Sequence, residues 1–127
     1  ADAMDALVES AKEIDTDLEI NLTNQGKWLM EQQVANALTE ATLQAVQNSV
    51  LHAGVRAKRE LFLKVTDEDL KIVIRDDGKG FRPNRIAKGR LGIRLSIIGR
   101  VESVGGQVKI SSNPGAGTTI VLEWSRA

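Results

Sequence analysis

The sequence predicts an α/β domain built as a two-layer sandwich, in which one mixed sheet of about five strands is covered on one face by about three helices. Stretches with apolar residues every three or four positions indicate helices, and stretches with apolar residues at every second position indicate strands. These stretches follow the order helix, strand, helix, two strands, loop, helix and two strands. A chain of 127 residues can bury one core, so we predict a single domain over residues 1–127.

The first half of the chain contains the longest predicted helix. A shorter helix with an acidic outer face is expected over 1–14, and a strand with alternating apolar residues is expected over 17–24. The long helix is expected over 27–53, because this stretch has helical apolar spacing and neither proline nor glycine. Gly54 then ends this helix, as glycine commonly does.

The second half is predicted to contain two hairpins separated by a loop and a helix. The four strands are expected over 60–66, 70–76, 107–112 and 118–125. The stretch 81–90 lacks periodicity and contains proline, asparagine and glycine, so a mobile loop is expected there. A helix is expected over 93–104, where one apolar stripe recurs at helical spacing.

The composition excludes several classes of function. With 17 basic and 17 acidic residues the formal net charge is zero, which argues against a protein that coats nucleic acid or an anionic membrane. Two Trp and two Phe are too few for a surface that stacks on bases. The absence of cysteine excludes disulfides and thiolate sites. We expect a cytoplasmic domain without a nucleic-acid partner, and any membrane anchor of a parent protein would lie outside this chain.

An acidic pair followed by two glycines stands at 76–80, with the sequence Asp-Asp-Gly-Lys-Gly. The apolar strand before this stretch would bring Asp76 to the edge of a buried sheet. Gly78 and Gly80 would let the backbone turn tightly and be approached closely by a ligand. The stretch 79–100 has seven basic residues and no acidic one. We predict that Asp76 binds one end of a nucleotide and that the basic stretch binds its phosphates.

A row of polar residues runs along the long predicted helix. Gln44, Asn48 and His52 recur every four residues and therefore share one side of it. A polar row on a buried side needs hydrogen-bond partners, so Asn48 is either a satisfied core amide or a ligand-binding residue. For His52 we favour a packing or phosphate contact over acid–base catalysis. Zinc binding is not expected, because the sequence has no other histidine and no cysteine.

Four blocks in fixed order resemble the sensor histidine kinases. The blocks are 44–53, similar to the N box; 76–80, which fits the D-x-G-x-G of the first glycine box; 89–106, similar to the second glycine box; and 114–119, similar to the final G-x-G-T. The likeness covers most of the chain and is greatest to kinases related to nitrate and nitrite sensors. The wider superfamily, called GHKL, also includes gyrase, mismatch-repair and chaperone ATPases.

This resemblance implies an ATP-binding α/β sandwich, the Bergerat fold, with ATP and Mg²⁺ as ligands. It implies that Asn48 binds Mg²⁺ and phosphate oxygens, that Asp76 accepts a hydrogen bond from the adenine amino group, and that Thr118 supports this contact. The chemistry of these residue types agrees, because carboxylates accept hydrogen bonds from base amino groups. Mg²⁺ also prefers oxygen ligands and shares them with substrate phosphates.

The second glycine box is the expected phosphate-binding segment. The resemblance implies that Gly89 and Gly92 let the backbone of a lid reach the phosphates. By position, Arg90 and Arg94 are the expected phosphate contacts. A helix that begins here would add unpaired backbone amides and the positive end of its dipole.

Gln44 stands where the kinases related to nitrate sensors usually have glutamate. An amide cannot act as a general base, so activation of water is not expected. Other histidine kinases have asparagine at this position, so phosphoryl transfer to a histidine is retained. We therefore keep Gln44 and Asn48 as the candidate catalytic residues.

The resemblance implies the catalytic domain of a two-component sensor kinase. Such a domain binds MgATP and presents the γ-phosphate to a histidine on a separate dimerisation domain, in a full-length protein that is a homodimer and acts on a response regulator. This chain should bind ATP or ADP without phosphorylating itself. The alternatives are a module that binds a partner protein, as anti-sigma factors of the superfamily do, and an ATP hydrolase.

Overall fold

The structure, a computed structural model, describes residues 3–24, 31–81 and 88–126, and of residues 3, 24 and 88–93 it describes the backbone only. The helices of the described residues are α1 (Ala3–Ile14), α2 (Gln32–His52) and α3 (Lys88–Glu102). The strands are β1 (Glu19–Asn24), β2 (Arg59–Val65), β3 (Asp69–Asp76), β4 (Gln107–Ser112) and β5 (Thr118–Ser125). None of these helices has the length and apolar character that crossing a bilayer requires.

The five strands form one mixed sheet in the order β1-β2-β3-β5-β4. β1 pairs with β2 in parallel, whereas the other neighbouring strands pair antiparallel. A parallel pair needs a crossover connection, which α2 provides between β1 and β2. The order of the elements and the mixed sheet agree with the prediction.

The core lies between the helices and the sheet. Alternate residues of β2 and β3 are buried, among them Leu61, Leu63 and Ile72. They belong to one buried cluster with apolar side chains of all three helices. On α2 the cluster includes Ala41 and Ala45, which are 0% and 1% exposed. Because their side chains are small, α2 can pack close to the sheet.

The predicted limits of the strands agree with the structure to within two residues, but the predicted start of α3 was wrong. The lack of periodicity and Gly89 predict a loop over residues 88–90, whereas the helix begins at Lys88. A glycine costs a helix only about 1 kcal/mol. Burial of Ile97 and Val101 against the core outweighs that cost. The remainder of the predicted mobile loop, residues 82–87, and the first part of the predicted long helix, residues 27–30, lie outside the described residues.

The end of β3 packs against two other segments by direct contact of backbones. A Cβ atom on Gly78 would lie 2.4 Å from the carbonyl oxygen of Ala53, just after α2. A Cβ on Gly80 would lie 2.0 Å from the carbonyl oxygen of Asn113, in the turn between β4 and β5. The amide of Lys79 donates to the Ala53 carbonyl at 3.0 Å. Only glycine leaves room for this approach.

Gly117 makes the reciprocal contact from the β4–β5 turn. A Cβ on Gly117 would lie 2.1 Å from the carbonyl oxygen of Asp76, and the amide of Gly115 donates to the carbonyl of Lys79 at 2.7 Å. We call the contacts of Gly78, Gly80 and Gly117 the glycine junction. This junction fixes the end of β3 against both the end of α2 and the β4–β5 turn.

Substitution of Gly80 tests the glycine junction. Gly80 has φ +63° and no space for a Cβ, so Gly80→Ala should lower the free energy of unfolding by about 2 kcal/mol or more. Gly99→Ala is the control, because Gly99 lies in α3 with no atom near the added Cβ. It should leave stability unchanged or raise it by up to about 1 kcal/mol. Urea denaturation of both variants measures the difference, and equal stabilities would contradict close packing at Gly80.

Candidate nucleotide-binding site

A small hollow that opens to solvent lies between the second half of α2, the end of β3 and the start of β5, with a cavity volume of about 10 Å³. Its apolar lining includes Ala45, Ile74 and Ile120, and its polar lining includes Asn48, His52, Asp76 and Thr118. The structure therefore brings together five of the residues selected from the sequence, since Gly80 also lines this hollow. An apolar hollow with a few converging polar groups is the usual form of a small-molecule site.

A second hollow of similar size adjoins the first. The two share Asn48, Thr118 and Ile120 as lining residues, and the second is also lined by Phe81 and Arg94. We call the two hollows together the groove. Asp76 lines the first hollow alone and Arg94 lines the second alone, so we treat these hollows as the two ends of the groove, with Asn48 common to both. A ligand with a hydrogen-bond donor at one end and negative charge at the other would match these groups.

Asp76 is 9% exposed, and two donors fix its carboxylate. The hydroxyl of Ser49 donates to Oδ2 at 2.7 Å, and the amide of Gly78 donates to Oδ1 at 2.9 Å. A carboxylate oxygen can accept more than one hydrogen bond, so both oxygens can still accept from a ligand. Ser49 was not predicted. Its position directly after Asn48 was the only available sign, since its partner lies 27 residues away.

Thr118 lies directly opposite Asp76 in the antiparallel pairing of β3 with β5. The pairing of the two strands therefore brings Thr118 beside Asp76, although the two residues are 42 positions apart in sequence. Its hydroxyl lies 2.9 Å from the hydroxyl of Ser112, a buried serine at the end of β4 that the sequence analysis did not select.

Asn48 has a buried side-chain oxygen, Oδ1, with no hydrogen-bond partner among the described residues. Buried polar atoms nearly always have a partner, and each exception calls for an explanation. An amide oxygen in the wall of a groove is a suitable ligand for Mg²⁺, which prefers oxygen and completes its shell with water and phosphate. The donor available at Asn48 therefore fits the metal that the resemblance implies.

Gln44 and the selected residues of the second glycine box lie on α2 and α3. Gln44 accepts a hydrogen bond from the hydroxyl of Ser96 on α3 at 3.4 Å, and neither hollow includes it in its lining. Gly89, Arg90 and Gly92 lie in the first turns of α3, where the structure describes the backbone alone, and their contacts with phosphate stay a prediction.

A larger open cleft also lies beside the end of β3, and Asp76 is part of its wall as well. Charged residues of both signs line it, and Arg59 and Asp15 form an ion pair at 2.8 Å beside it. Several carboxylates in its wall, including Asp17 and Glu19, would repel a triphosphate. The smaller groove, with its apolar walls and single carboxylate, is the better candidate for a nucleotide.

The chain is similar to known proteins in both sequence and structure. A sequence model of the histidine kinase-, DNA gyrase B- and HSP90-like ATPase family matches residues 33–127. An uncharacterised sensor-like histidine kinase of Chloroflexus aurantiacus is 32% identical over 117 residues, which are 88% of this chain and 19% of that protein. The signal transduction histidine-protein kinase/phosphatase DegS of Brevibacillus brevis is 32% identical over 88 residues, 68% of this chain and 22% of that protein. This chain thus spans about a fifth of the length of the curated relatives it matches.

Solved structures confirm the predicted fold class. The histidine kinase domain of a blue-light activated kinase from Erythrobacter litoralis EL346 superposes with a TM-score of 0.74 at 18% identity, covering 97% of this chain and 60% of that one. The mycobacterial sensor histidine kinase MprB gives a TM-score of 0.67 at 16% identity, covering 97% of this chain and 93% of that one. At such identities the likeness concerns the fold alone. The likeness to nitrate-sensor kinases in particular stays a prediction.

The match to the family model extends over all the elements from α2 to β5, which include the groove and the glycine junction. The chain therefore belongs to the histidine kinase-, DNA gyrase B- and HSP90-like ATPase family of ATP-binding domains and is related to the sensor histidine kinases.

Proposed function

We propose that this domain binds MgATP and presents the γ-phosphate to a histidine on a separate dimerisation domain, as the catalytic part of a two-component sensor kinase. The observation that carries the proposal is the groove itself. Asp76 with its fixed carboxylate lines one hollow, Arg94 lines the other, and Asn48, whose buried Oδ1 has no partner among the described residues, is common to both.

The adenine base is assigned to the end of the groove that contains Asp76. Ile74 and Ile120 provide apolar walls for the ring. The Asp76 carboxylate would accept a hydrogen bond from the amino group of the base, with Thr118 beside it. His52 lines this same hollow, so we place it beside the base rather than beside the phosphates. The glycine junction holds these groups together before the ligand arrives.

The phosphates are assigned to the end of the groove that contains Arg94. Asn48 Oδ1 would hold Mg²⁺, which when bound neutralises phosphate charge and orients the γ-phosphate. Gly89 lies in the first turn of α3, where backbone amides have no partner within the helix and favour anions, and Gly92, which has no side chain, would leave room for the phosphates. Arg90 would add a second guanidinium.

The reaction is an in-line transfer in which the chain contributes positioning and charge stabilisation. A nitrogen of the acceptor imidazole forms a bond to the γ-phosphorus, and the bond from phosphorus to the bridging oxygen breaks to release ADP. His52 lies within α2 and lines the groove, so the acceptor must come from another domain. Gln44, an amide bonded to Ser96, would hold α2 and α3 in register rather than take a proton.

In the full-length protein we propose that the histidine-bearing domain forms a homodimer and that a response regulator receives the phosphoryl group. The domain would act in the cytoplasm, where ATP is available. Hydrolysis of ATP is the weaker candidate, because the amide of Gln44 cannot act as the general base that activates water.

Asp76→Asn tests the assignment of the base. The amide would present an N–H₂ group where the carboxylate only accepts, so ATP affinity should fall roughly 10- to 100-fold. Asp77→Asn is the matched control: Asp77 is exposed and its Oδ1 accepts from the amide of Lys58 rather than lining the groove. Its affinity should stay within about twofold of wild type. Titration calorimetry with ATP measures both, and unchanged binding by Asp76→Asn would refute the role of this carboxylate.

Asn48→Leu separates stability from metal binding. Removing a buried acceptor without a partner should raise the free energy of unfolding of the nucleotide-free domain by about 1 kcal/mol. The same change should abolish the increase in ATP affinity that Mg²⁺ produces. Gln47→Leu, at an exposed position of α2, should change neither property. Urea denaturation and calorimetry with and without Mg²⁺ measure the two effects, and a retained Mg²⁺ dependence would contradict the assignment of Asn48.

Phosphoryl transfer tests the function as a whole. Incubated with ATP labelled at the γ-phosphate, the chain alone should remain unlabelled, because its single histidine lies in the groove. When the histidine-bearing domain of the parent protein is added separately, that domain should acquire an acid-labile label. Normal ATP binding without any transfer would favour a module that binds a partner protein.

A further inference from the structure

Ser112 is a buried serine at the end of the edge strand β4, and it contacts three separate groups. Its Oγ lies 2.9 Å from the amide nitrogen of Phe81, 2.9 Å from the carbonyl oxygen of Gly117 and 2.9 Å from Oγ1 of Thr118. Ser112 is 6% exposed, so water does not readily compete for these contacts. Two electronegative atoms 2.9 Å apart repel each other unless a hydrogen atom lies between them, so each of the three contacts needs a donated hydrogen.

The hydrogen in each contact can be assigned by elimination. A serine hydroxyl has one hydrogen to donate and two lone pairs that accept. The Phe81 amide can only donate to Ser112, and the Gly117 carbonyl can only accept from it. The single hydrogen of Ser112 is therefore committed to Gly117. The hydrogen in the contact with Thr118 must come from Thr118.

This assignment fixes what Thr118 offers to the groove. Because its hydrogen is directed to Ser112, the Thr118 hydroxyl can only accept a hydrogen bond from a ligand. The Asp76 carboxylate, directly opposite in strand register, also only accepts. The base end of the groove thus offers two neighbouring acceptors, which match an amino group and repel a carbonyl oxygen.

We infer that Ser112 is a positioning residue that determines base specificity by holding the Thr118 hydroxyl as a hydrogen-bond acceptor. The inference rests on the proposed function, in which the base lies beside Asp76 and Thr118. A base with an amino group at position 6, as in ATP, is accepted. A base with a carbonyl at that position, as in ITP, meets lone pairs only. Sites built to hydrogen-bond a particular group discriminate strongly, because a mismatched ligand leaves buried polar atoms unpaired.

The test is the ratio of the Kd for ITP to the Kd for ATP, measured by titration calorimetry. In Ser112→Ala the Thr118 hydroxyl is free to donate to the carbonyl of ITP, so the ratio should fall by about fivefold or more. Ser112→Val should lower the ratio in the same way. Ser112→Thr is the matched control, because threonine has nearly the volume of valine but keeps the hydroxyl, and it should retain the wild-type ratio. Ser111→Ala, at the exposed neighbouring position of β4, should also retain it.

The ratio distinguishes this role from simple support of the fold. Loss of the bonds to Phe81 and Gly117 would weaken the binding of both nucleotides alike and leave the ratio unchanged. In a Thr118→Val background, Ser112→Ala should produce no further change in the ratio, because the hydroxyl through which it acts is absent.

Two results would overturn the inference, and they separate it from the proposed function. A wild-type preference for ATP that persists unchanged in Ser112→Ala and Ser112→Val refutes the role of Ser112 and leaves the nucleotide site intact. A wild-type domain that binds neither nucleotide, or binds both equally, refutes the base site itself and the inference with it.

Discussion

The end of β3 lies between the end of α2 and the β4–β5 turn with no side chain to separate the three backbones. Glycines at 78, 80 and 117 permit this contact, since a Cβ at any of them would lie within 2.5 Å of another backbone or side-chain atom. The same three segments carry Asn48, Asp76 and Thr118. Close packing of the glycine junction therefore determines the distances between the groups that line the groove, and the geometry of the site follows from the packing of the fold.

The position of α3 depends more on burial than on charge. The basic stretch 79–100 suggests an electrostatic element, but the described part of it divides into different roles. Arg94 lines the groove, whereas Arg100 forms an ion pair with Glu40 of α2 at a largely exposed position. An exposed pair of this kind contributes about 0–1 kcal/mol. The buried Ile97 and Val101 hold α3 against the core, and the ion pair adds a contact between α3 and α2 at the surface.

Sequence reasoning identified the parts of the site that are encoded locally. Asp76 and its glycines are adjacent in the chain, and the glycine-rich turn marks the limits of β4 and β5, so these elements were predicted with their correct ends. Ser49 and Ser112 were not predicted. Each is a common residue in an ordinary helix or strand position. Ser49 contacts Asp76, 27 residues away, and Ser112 joins Phe81, 31 residues away, to Thr118 in the next strand, so neither role can be seen before the fold is known. The start of α3 was missed for the same reason, since packing from distant residues overrides local propensity.

The hydrogen-bonding state of the groove indicates how the domain works. Asn48 Oδ1 has no described donor, and the oxygens of Asp76 and Thr118 retain accepting lone pairs. A buried acceptor without a partner costs about 1–3 kcal/mol, so the free domain is less stable than its packing would allow. A ligand with an amino group and a bound cation supplies what these oxygens lack. Because the groups are fixed before a ligand binds, little reorganisation would be needed when it does, which agrees with the proposed role of positioning a phosphoryl donor rather than moving protons.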